Sequence, residues 1–509
     1  MKMQMALLLT CLVTISIGLP YVESSLSSAG DINWWCNQTP NPEPCKYYMS
    51  HSSEPSKALS RKQFLTLAEQ TALDRVTSEL GLIRSLEPKL LNNAERSAWS
   101  QCLQFHHLTV NALTKILDVN RESTAADIQI WLSGASTNIR TCHQGFFDVK
   151  LTTNIYPIVI SNNVTELITN CMAVNKNLFD EEKATNQPEF YKSFPANNSL
   201  VENADCVVAQ DGSGDYKTIS EALQASVSRR QDVNQRFVIQ VKQGTYAEYP
   251  VVTDQMKNIM IVGEGMGNTI VTGNAKGATL IDSATFKVYG EGFVAQSITF
   301  ENTAGASAGQ EIALFSQSDQ SAYYQCRFKG YQDTLLTGMN RQFYRECEIY
   351  GTVDYIFGNA AVVFQKCVIY AGVVTTAQGR TSLNDPTGTV IQNCRIVSGP
   401  ELPAGPSPAY LGRPWLDYST VVVMQSFLDS VVNPAGWLEW PGAAPGRYST
   451  LFYAEFNNNG PGSATDGRVK WPGYHIITDA SQVQKYSVAN FIAGNSWLPA
   501  TGVPFDSGI

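Results

Sequence analysis

Tyr324-Gln-Cys-Arg-Phe328 is the segment on which the fold turns, because it returns along the chain. Ala295-Gln-Ser-Ile-Thr-Phe300 precedes it in similar form. Arg345-Glu-Cys-Glu-Ile-Tyr350, Gln365-Lys-Cys-Val-Ile-Tyr370, Gln392-Asn-Cys-Arg-Ile-Val397 and Val423-Met-Gln-Ser-Phe-Leu428 follow it. Aligned on Ser297, Cys326, Cys347, Cys367, Cys394 and Ser426, the copies stand 29, 21, 20, 27 and 32 residues apart. A constant short strand with variable loops between copies predicts a parallel β-helix, in which each coil stacks on the last. An antiparallel sandwich would need hairpin turns of about two to five residues, which this spacing does not leave. A helix near Thr218–Ser226 is expected to cover one open end, since bare sheet edges invite association.

The same spacing places two acids together. Asp333 and Asp354 are 21 residues apart, as are Cys326 and Cys347. If the cysteines match on neighbouring coils, the aspartates do too, about 4.8 Å apart along the stack. Two carboxylates at that distance do not ionise together, so one becomes a proton donor beside an ionised neighbour. A single Asp is usually a turn residue. Asp354, however, lies in Gly351-Thr-Val-Asp-Tyr-Ile-Phe-Gly358, among apolar and aromatic neighbours, where a charge needs a partner or a task. Gln310 and Gln332 are 22 residues apart, again about one coil, and offer amide donors for a developing oxyanion. Arg413, in Leu411-Gly-Arg-Pro-Trp415, is a candidate partner for the ionised aspartate, and Trp415 offers a flat face to a sugar ring.

Residues 31–180 follow a different grammar. Leu65, Ala68, Ala72, Val76 and Leu80 recur every three or four positions. Leu103, Val110, Leu113 and Leu117 do the same, as do Ile128, Leu132, Ala135, Ile139 and Cys142, then Leu167, Cys171 and Val174. One apolar stripe per helix predicts an all-α four-helix bundle. Its histidines His51, His106, His107 and His143 show no ligand spacing with acidic partners, so it is expected to pack rather than to catalyse. Residues 181–204 are polar and aperiodic and read as a linker. The all-β half occupies 205–509.

Ahead of both, Lys2 and the apolar run Ala6–Gly18 read as a signal peptide over residues 1–25, too short for a membrane span. Sequons at Asn37, Asn163 and Asn197 fit a secreted chain. Eleven cysteines suit an oxidising compartment, and the absence of a C-x-x-C pair speaks against zinc. The net charge of −9 argues against nucleic acid as a partner. Gly305-Ala-Ser-Ala-Gly309 matches a nucleophile elbow. The second half has one histidine, His475, too few to make a serine triad credible.

From about Ala204 onward the chain resembles the plant pectin methylesterase (pectinesterase) family. The resemblance rests on Gly244-Thr-Tyr-Ala-Glu248, Gln310-Glu-Ile-Ala-Leu314, Tyr331-Gln-Asp-Thr-Leu335, Gly351–Gly358 and Leu411–Trp415. It implies a right-handed parallel β-helix acting on methyl-esterified polygalacturonate (pectin), outside the cell in the wall, as a monomer, with no metal or cofactor. It implies Asp354 as nucleophile, Asp333 as proton donor and acceptor, and Gln332 as oxyanion stabiliser. Gln310 would assist the oxyanion; Arg413 would fix Asp354; and Gln310, Arg413 and Trp415 would bind substrate. The first half resembles the pectinesterase-inhibitor domain, through Cys36–Cys45, Trp99-Ser-Gln-Cys102 and Trp131–Phe146. That pattern implies Cys36 bonded to Cys45 and Cys102 to Cys142, with Cys171 free. Its implied role is a pro-region that silences the esterase until cleaved. Cys326, Cys347, Cys367 and Cys394 are further disulfide candidates, Cys367–Cys394 among the pairings. The sequence departs from these families in lacking a dibasic site in the linker. It also carries Glu311 for a small residue, Phe315 for a basic one, Leu280 for a threonine, and a short loop from Tyr370 to Thr375. Paired carboxylates also suit a retaining glycosidase. An inert binding protein is the remaining alternative.

Overall fold

In a computed structural model, the residues described are 30–50, 57–87, 90, 92–150, 163–185, 193–194, 203–230, 232–399 and 409–509. The expected signal segment, Asn197 and most of the linker lie outside them. Asn37 is exposed and Asn163 half-buried.

Among the described residues the first helices are α1 (Ile32–Cys36), α2 (Pro42–Met49), α3 (Arg61–Arg84), α4 (Asn93–Leu117), α5 (Ala125–Asp148) and α6 (Val164–Thr185). The four long ones pack together, with α5 between α4 and α6. Their starts are written locally. Ser60 and Gln63 close a capping box on α3, and Thr124 and Asp127 close one on α5. Leu65, Ala68, Ala72, Val76 and Leu80 of α3 are buried as expected. On α4 the buried line is Cys102, Phe105, Thr109, Leu113 and Ile116. The expected members Leu103, Val110 and Leu117 lie only half-buried beside it. Leu113 alone of the expected stripe lies on the buried line, and the other three flank it.

That half is a parallel β-helix. Strands of eleven, eight and seven members form three sheets, and every pairing within them is parallel. The helix Ile219–Arg229 buries Ile219, Ala222 and Leu223 against the first coil, as its position in the sequence anticipates. Ser193–Phe194, in the linker, pairs antiparallel with Phe505–Asp506, so the connection is tied to the C-terminal strand.

The repeat is not one strand, as the sequence suggested, but a corner between two. Ser321–Tyr324 belongs to the eleven-stranded sheet and Arg327–Lys329 to the eight-stranded one. Between them Gln325 turns the chain with φ 51°, as do Glu346, Lys366, Asn393 and Gln425 at 53°, 55°, 53° and 53°. Polar side chains at these left-handed corners point away from the core. Ser297 is such a corner too, with φ 56°. The register Thr299↔Arg327 therefore aligns Ile298, not Ser297, with Cys326. Ser297 is therefore not an anchor of the stack; the corner there falls one residue before the aligned position.

The stacked cysteines also differ from expectation. Disulfides join Cys36 to Cys45 and Cys102 to Cys142. Cys326, Cys347, Cys367 and Cys394 are free thiols, fully buried, as are Cys171 and Cys206. In a parallel, in-register stack the Cα–Cβ bonds of neighbouring coils run side by side at the strand spacing of about 4.8 Å. A disulfide needs its Cβ atoms near 3.8 Å. Each thiol instead faces a carbonyl of the preceding coil: Ala295 at 3.4 Å from Cys326, Tyr323 at 3.3 Å from Cys347, Tyr344 at 3.5 Å from Cys367 and Phe364 at 3.4 Å from Cys394.

The bundle lies on the outer face of the seven-stranded sheet. Ile83, Leu86, Phe105 and Phe146 share one buried cluster with Phe315, Leu336, Phe357 and Ala377. Polar contacts ring that cluster. Trp131 Nε1 donates to Asp319 at 2.8 Å, Ser133 Oγ to Asp385 at 2.9 Å, and Arg341 Nη1 to Asp127 at 2.6 Å. Arg341 is itself buried and forks onto Asp319, so Asp127 completes a carboxylate–guanidinium–carboxylate chain across the junction. Gly134 lets α5 come close: a Cβ there would lie 2.9 Å from Asn340 Oδ1.

The free thiols give a direct check. Without reductant, the native chain should not react with a bulky thiol reagent at the described positions. Under denaturant it should expose six thiols from them. Two fewer would mean that a pair of the stacked cysteines is bonded.

Candidate active site

Asp333 and Asp354 do meet. The register Leu314↔Leu335↔Ile356 sets the coils, and each aspartate precedes its paired residue by two. Both are left-handed, with φ 63° and 52°. Non-glycine residues in that region cost conformational energy, and such strain concentrates at functional sites. The kink turns each carboxyl out of the coil. Asp333 is 3% exposed and Asp354 5%, so both are almost dry.

Their partners differ, and that divides their charge. Arg413, two strands along the same sheet in strand Tyr410–Pro414, forks onto Asp354, with Nε at 2.9 Å from Oδ1 and Nη2 at 2.6 Å from Oδ2. Asp333 receives one neutral donor, Gln310 Nε2, at 2.8 Å. Burial raises the pKa of both. For Asp333 the Asp354 charge adds to burial, and only the Gln310 bond and the more distant Arg413 oppose, so it is pushed up to about 8. For Asp354 the Arg413 bonds and charge work against burial. A bidentate guanidinium favours the ionised form strongly. The geometry thus favours the proton on Asp333 and the negative charge on Asp354.

The remaining candidates line up around this pair. Gln310 bridges to Gln332 on the next coil, as their spacing anticipates. Gln310 is exposed and Gln332 half-buried. Gln332 accepts the Glu311 N–H at its carbonyl, at 3.1 Å; among the described residues its side chain makes no hydrogen bond to either aspartate. Trp415 is half-buried, tilted towards Phe357 at 6.3 Å, and rests over Gly379, where a Cβ would be 2.9 Å from its ring.

One residue escaped sequence reasoning. The Trp440 ring lies under the Arg413 guanidinium, 4.4 Å from ring centre to Cζ, and shields the ion pair from one side. The signal was Trp437-Leu-Glu-Trp440, one coil after Arg413: Gly412 bridges to Trp437, which faces the core. Three residues further on, an odd step, a strand-like chain turns its side chain to the other face.

The elbow-like Gly305–Gly309 forms a short exposed turn of 3₁₀ helix. His475 is exposed on the last strand of the eleven-stranded sheet. The geometry that a serine nucleophile requires is absent there. Cys102, His106 and Cys142 cluster in the bundle, but both sulfurs are consumed by the disulfide and offer no thiolate to a metal.

Both halves of the chain resemble known proteins. Residues 205–495 match the family model described as Pectinesterase, and residues 30–174 match the Plant invertase/pectin methylesterase inhibitor model. "Pectinesterase 2" of Citrus sinensis is 44% identical over 98% of this chain and 99% of its own length. "Probable pectinesterase/pectinesterase inhibitor 17" of Arabidopsis thaliana is 43% identical over 94% of each. Among solved structures, a pectin methylesterase from carrot is 47% identical, with a TM-score of 0.58, over 60% of this chain and 98% of that one. A pectin methylesterase from Aspergillus niger is 31% identical, with a TM-score of 0.51, over 60% of this chain and 98% of that one. The chain belongs to the pectinesterase family, and it carries a pectin methylesterase inhibitor domain ahead of its β-helix.

Proposed function

We propose that this chain hydrolyses the methyl esters of pectin, releasing methanol and leaving pectate, by an aspartyl-esterase mechanism. The observation that carries the reading is the divided pair: one carboxyl held in a guanidinium fork beside one that receives a single amide donor. Asp354 attacks the ester carbonyl, and an acyl-enzyme forms as the C–O bond to methanol breaks. Asp333 supplies the proton that methanol takes. Water then attacks the acyl carbon, returning a proton to Asp333 and freeing Asp354 and the uronate. Gln310 and Gln332 are the proposed donors to the oxyanion, with Trp415 beneath the sugar. Neither step needs a cofactor. A retaining glycosidase would use the same two carboxyl groups. Family membership favours the ester.

The setting proposed is the plant cell wall. The N-terminal segment would be removed as a signal, and Asn37, Asn163 and Asn197 are the glycosylation candidates. The domains proposed are residues 31–180, 181–204 and 205–509. The bundle, docked on the face that bears the aspartates, acts as an inhibitor in cis. Phe315 and Leu280, two positions where the sequence departs from its family, both pack into the apolar cluster under the bundle. Those substitutions, with a linker that lacks a dibasic site, favour a chain that keeps its first half uncut.

Two outcomes test the chemistry. Asp354→Asn should lower methanol release from pectin on the order of a thousandfold or more, with no new reducing ends before or after the change. New reducing ends from the wild-type chain would assign the pair to glycoside cleavage. The second outcome concerns the proton on Asp333. Its folded pKa lies above the unfolded value of about 3.9. The stability tied to that proton is complete below pH ~4 and is lost as pH rises through about 8. Asp333→Asn removes the titration. Its melting temperature should exceed that of wild type by little at pH 5 and by several degrees at pH 9. A gap that stays constant with pH would place the proton elsewhere.

A further inference from the structure

The bundle does not fill the groove it covers. A cavity of about 510 Å³ remains between α5 and the seven-stranded sheet. Its floor is Phe315, Leu336, Phe357 and Trp415, and its roof includes Thr137, Arg140 and His143. Exposed Phe147 and Asp148 stand at its edge, so it opens to solvent there. Cavities of roughly 300–1,000 Å³ hold small ligands, and this one has room for one or two sugar rings.

Arg140 is the unusual member. Its Nη1 donates to Thr381 Oγ1 and its Nη2 to Thr137 Oγ1, both neutral acceptors. Among the described residues it forms no ion pair. Asp385, the acid nearest in effect, already accepts Ser133 Oγ at 2.9 Å, Thr381 N at 3.2 Å and Oγ1 at 3.1 Å, and Ser382 N at 3.1 Å. Burial lowers the Arg140 pKa, with Asp385 opposing. A guanidinium carries five donors in a planar fork, and two are taken. His143 beside it has a buried Nε2 with no partner among the described residues.

We propose that this junction cavity binds a short de-esterified galacturonide, its carboxylate held by Arg140 and its ring resting on Trp415. The proposal rests on the pectin reading above, because it takes the product class of that reaction as its ligand. A methyl ester would leave the guanidinium fork without an anion, whereas a carboxylate fills it bidentately. An aromatic floor suits the apolar face of a pyranose. The floor comes from the β-helix and the roof from the bundle, so the site is complete only while the two halves are docked. A ligand that binds only the docked form shifts the population towards it. The accumulating product therefore holds the chain closed.

The test uses the intact chain and isothermal titration with three probes: trigalacturonate, the same trimer fully methyl-esterified, and acetate. Wild type should bind trigalacturonate at least tenfold more tightly than the esterified trimer, and acetate weakly. Arg140→Gln should erase that tenfold preference. Gly134→Leu, which forces α5 off Asn340, should erase it as well, with small-angle scattering reporting the opened chain. If Arg140→Gln itself opens the chain, Trp415→Leu in a chain shown to remain docked takes its place and should weaken trigalacturonate binding tenfold. Equal binding of acid and ester, acetate binding as tight as the trimer, or affinity that survives Gly134→Leu would each overturn the proposal. Failure of the pectin reading shows separately, as no methanol from pectin with the wild-type chain.

Discussion

Two carboxyl groups one coil apart cannot both be charged, and the site is built around that repulsion. The coil dictates the distance, since parallel strands in register leave no freedom to separate the aspartates. Left-handed backbone at both positions turns the carboxyl groups outwards at a conformational cost. Arg413 then breaks the symmetry. It gives one carboxylate a fork of charged donors and leaves the other a single amide. From two identical side chains the surroundings make, on the proposed reading, a nucleophile and an acid. Trp440 belongs to the same device, because it keeps water from weakening the ion pair that decides which aspartate holds the proton.

Much of this was written in the spacing. The 21-residue interval shared by Asp333–Asp354 and Cys326–Cys347 holds in the register, because a solenoid repeats its geometry once per coil. Gln310 and Gln332 followed by the same logic, one residue longer, and their isolated bridge absorbs the extra residue. What failed was local. Ser297 looked like an anchor, but side-chain likeness does not reveal which residue turns a corner; backbone dihedrals do. The cysteine ladder looked like disulfides because proximity was legible while the direction of the Cα–Cβ bonds was not. On α4 the stripe was misplaced because that helix has two apolar neighbours, and periodicity alone does not say which face meets which. Trp440 needed the register of a coil whose repeat the sequence had already lost.

The junction between the halves was the least legible feature, and it is the most consequential. A bundle read by itself predicts one core. Here α4 and α5 turn Phe105 and Phe146 outwards to meet Phe315, Leu336 and Phe357. Asp127 shows how tightly the two levels are joined. Its Oδ2 closes the capping box that starts α5, and its Oδ1 completes the Arg341 chain across the junction. One residue both begins a helix and docks it. Nothing in a single sequence marks such a double use.

The docked face also limits what can replace the bundle there. Phe315, Leu336 and Phe357 present apolar surface that water covers poorly, and large apolar patches left open mark sites of association. A pectin chain offers the faces of its sugar rings and a regular row of ester and carboxylate groups. The bundle offers Phe105 and Phe146 to the aromatics and the Arg341–Asp127 pair to the charged rim. On the proposed function both ligands use the same surface chemistry, so they would compete for one face. The aspartates stand at the edge of that face, held by contacts made wholly within the β-helix, from Gln310 and Arg413. Docking therefore leaves the aspartate pair assembled, and under the proposed function control would fall on access. A chain governed in this way needs no rearrangement of its active site to switch on; it needs only the bundle to give up a surface that its polymer substrate can cover.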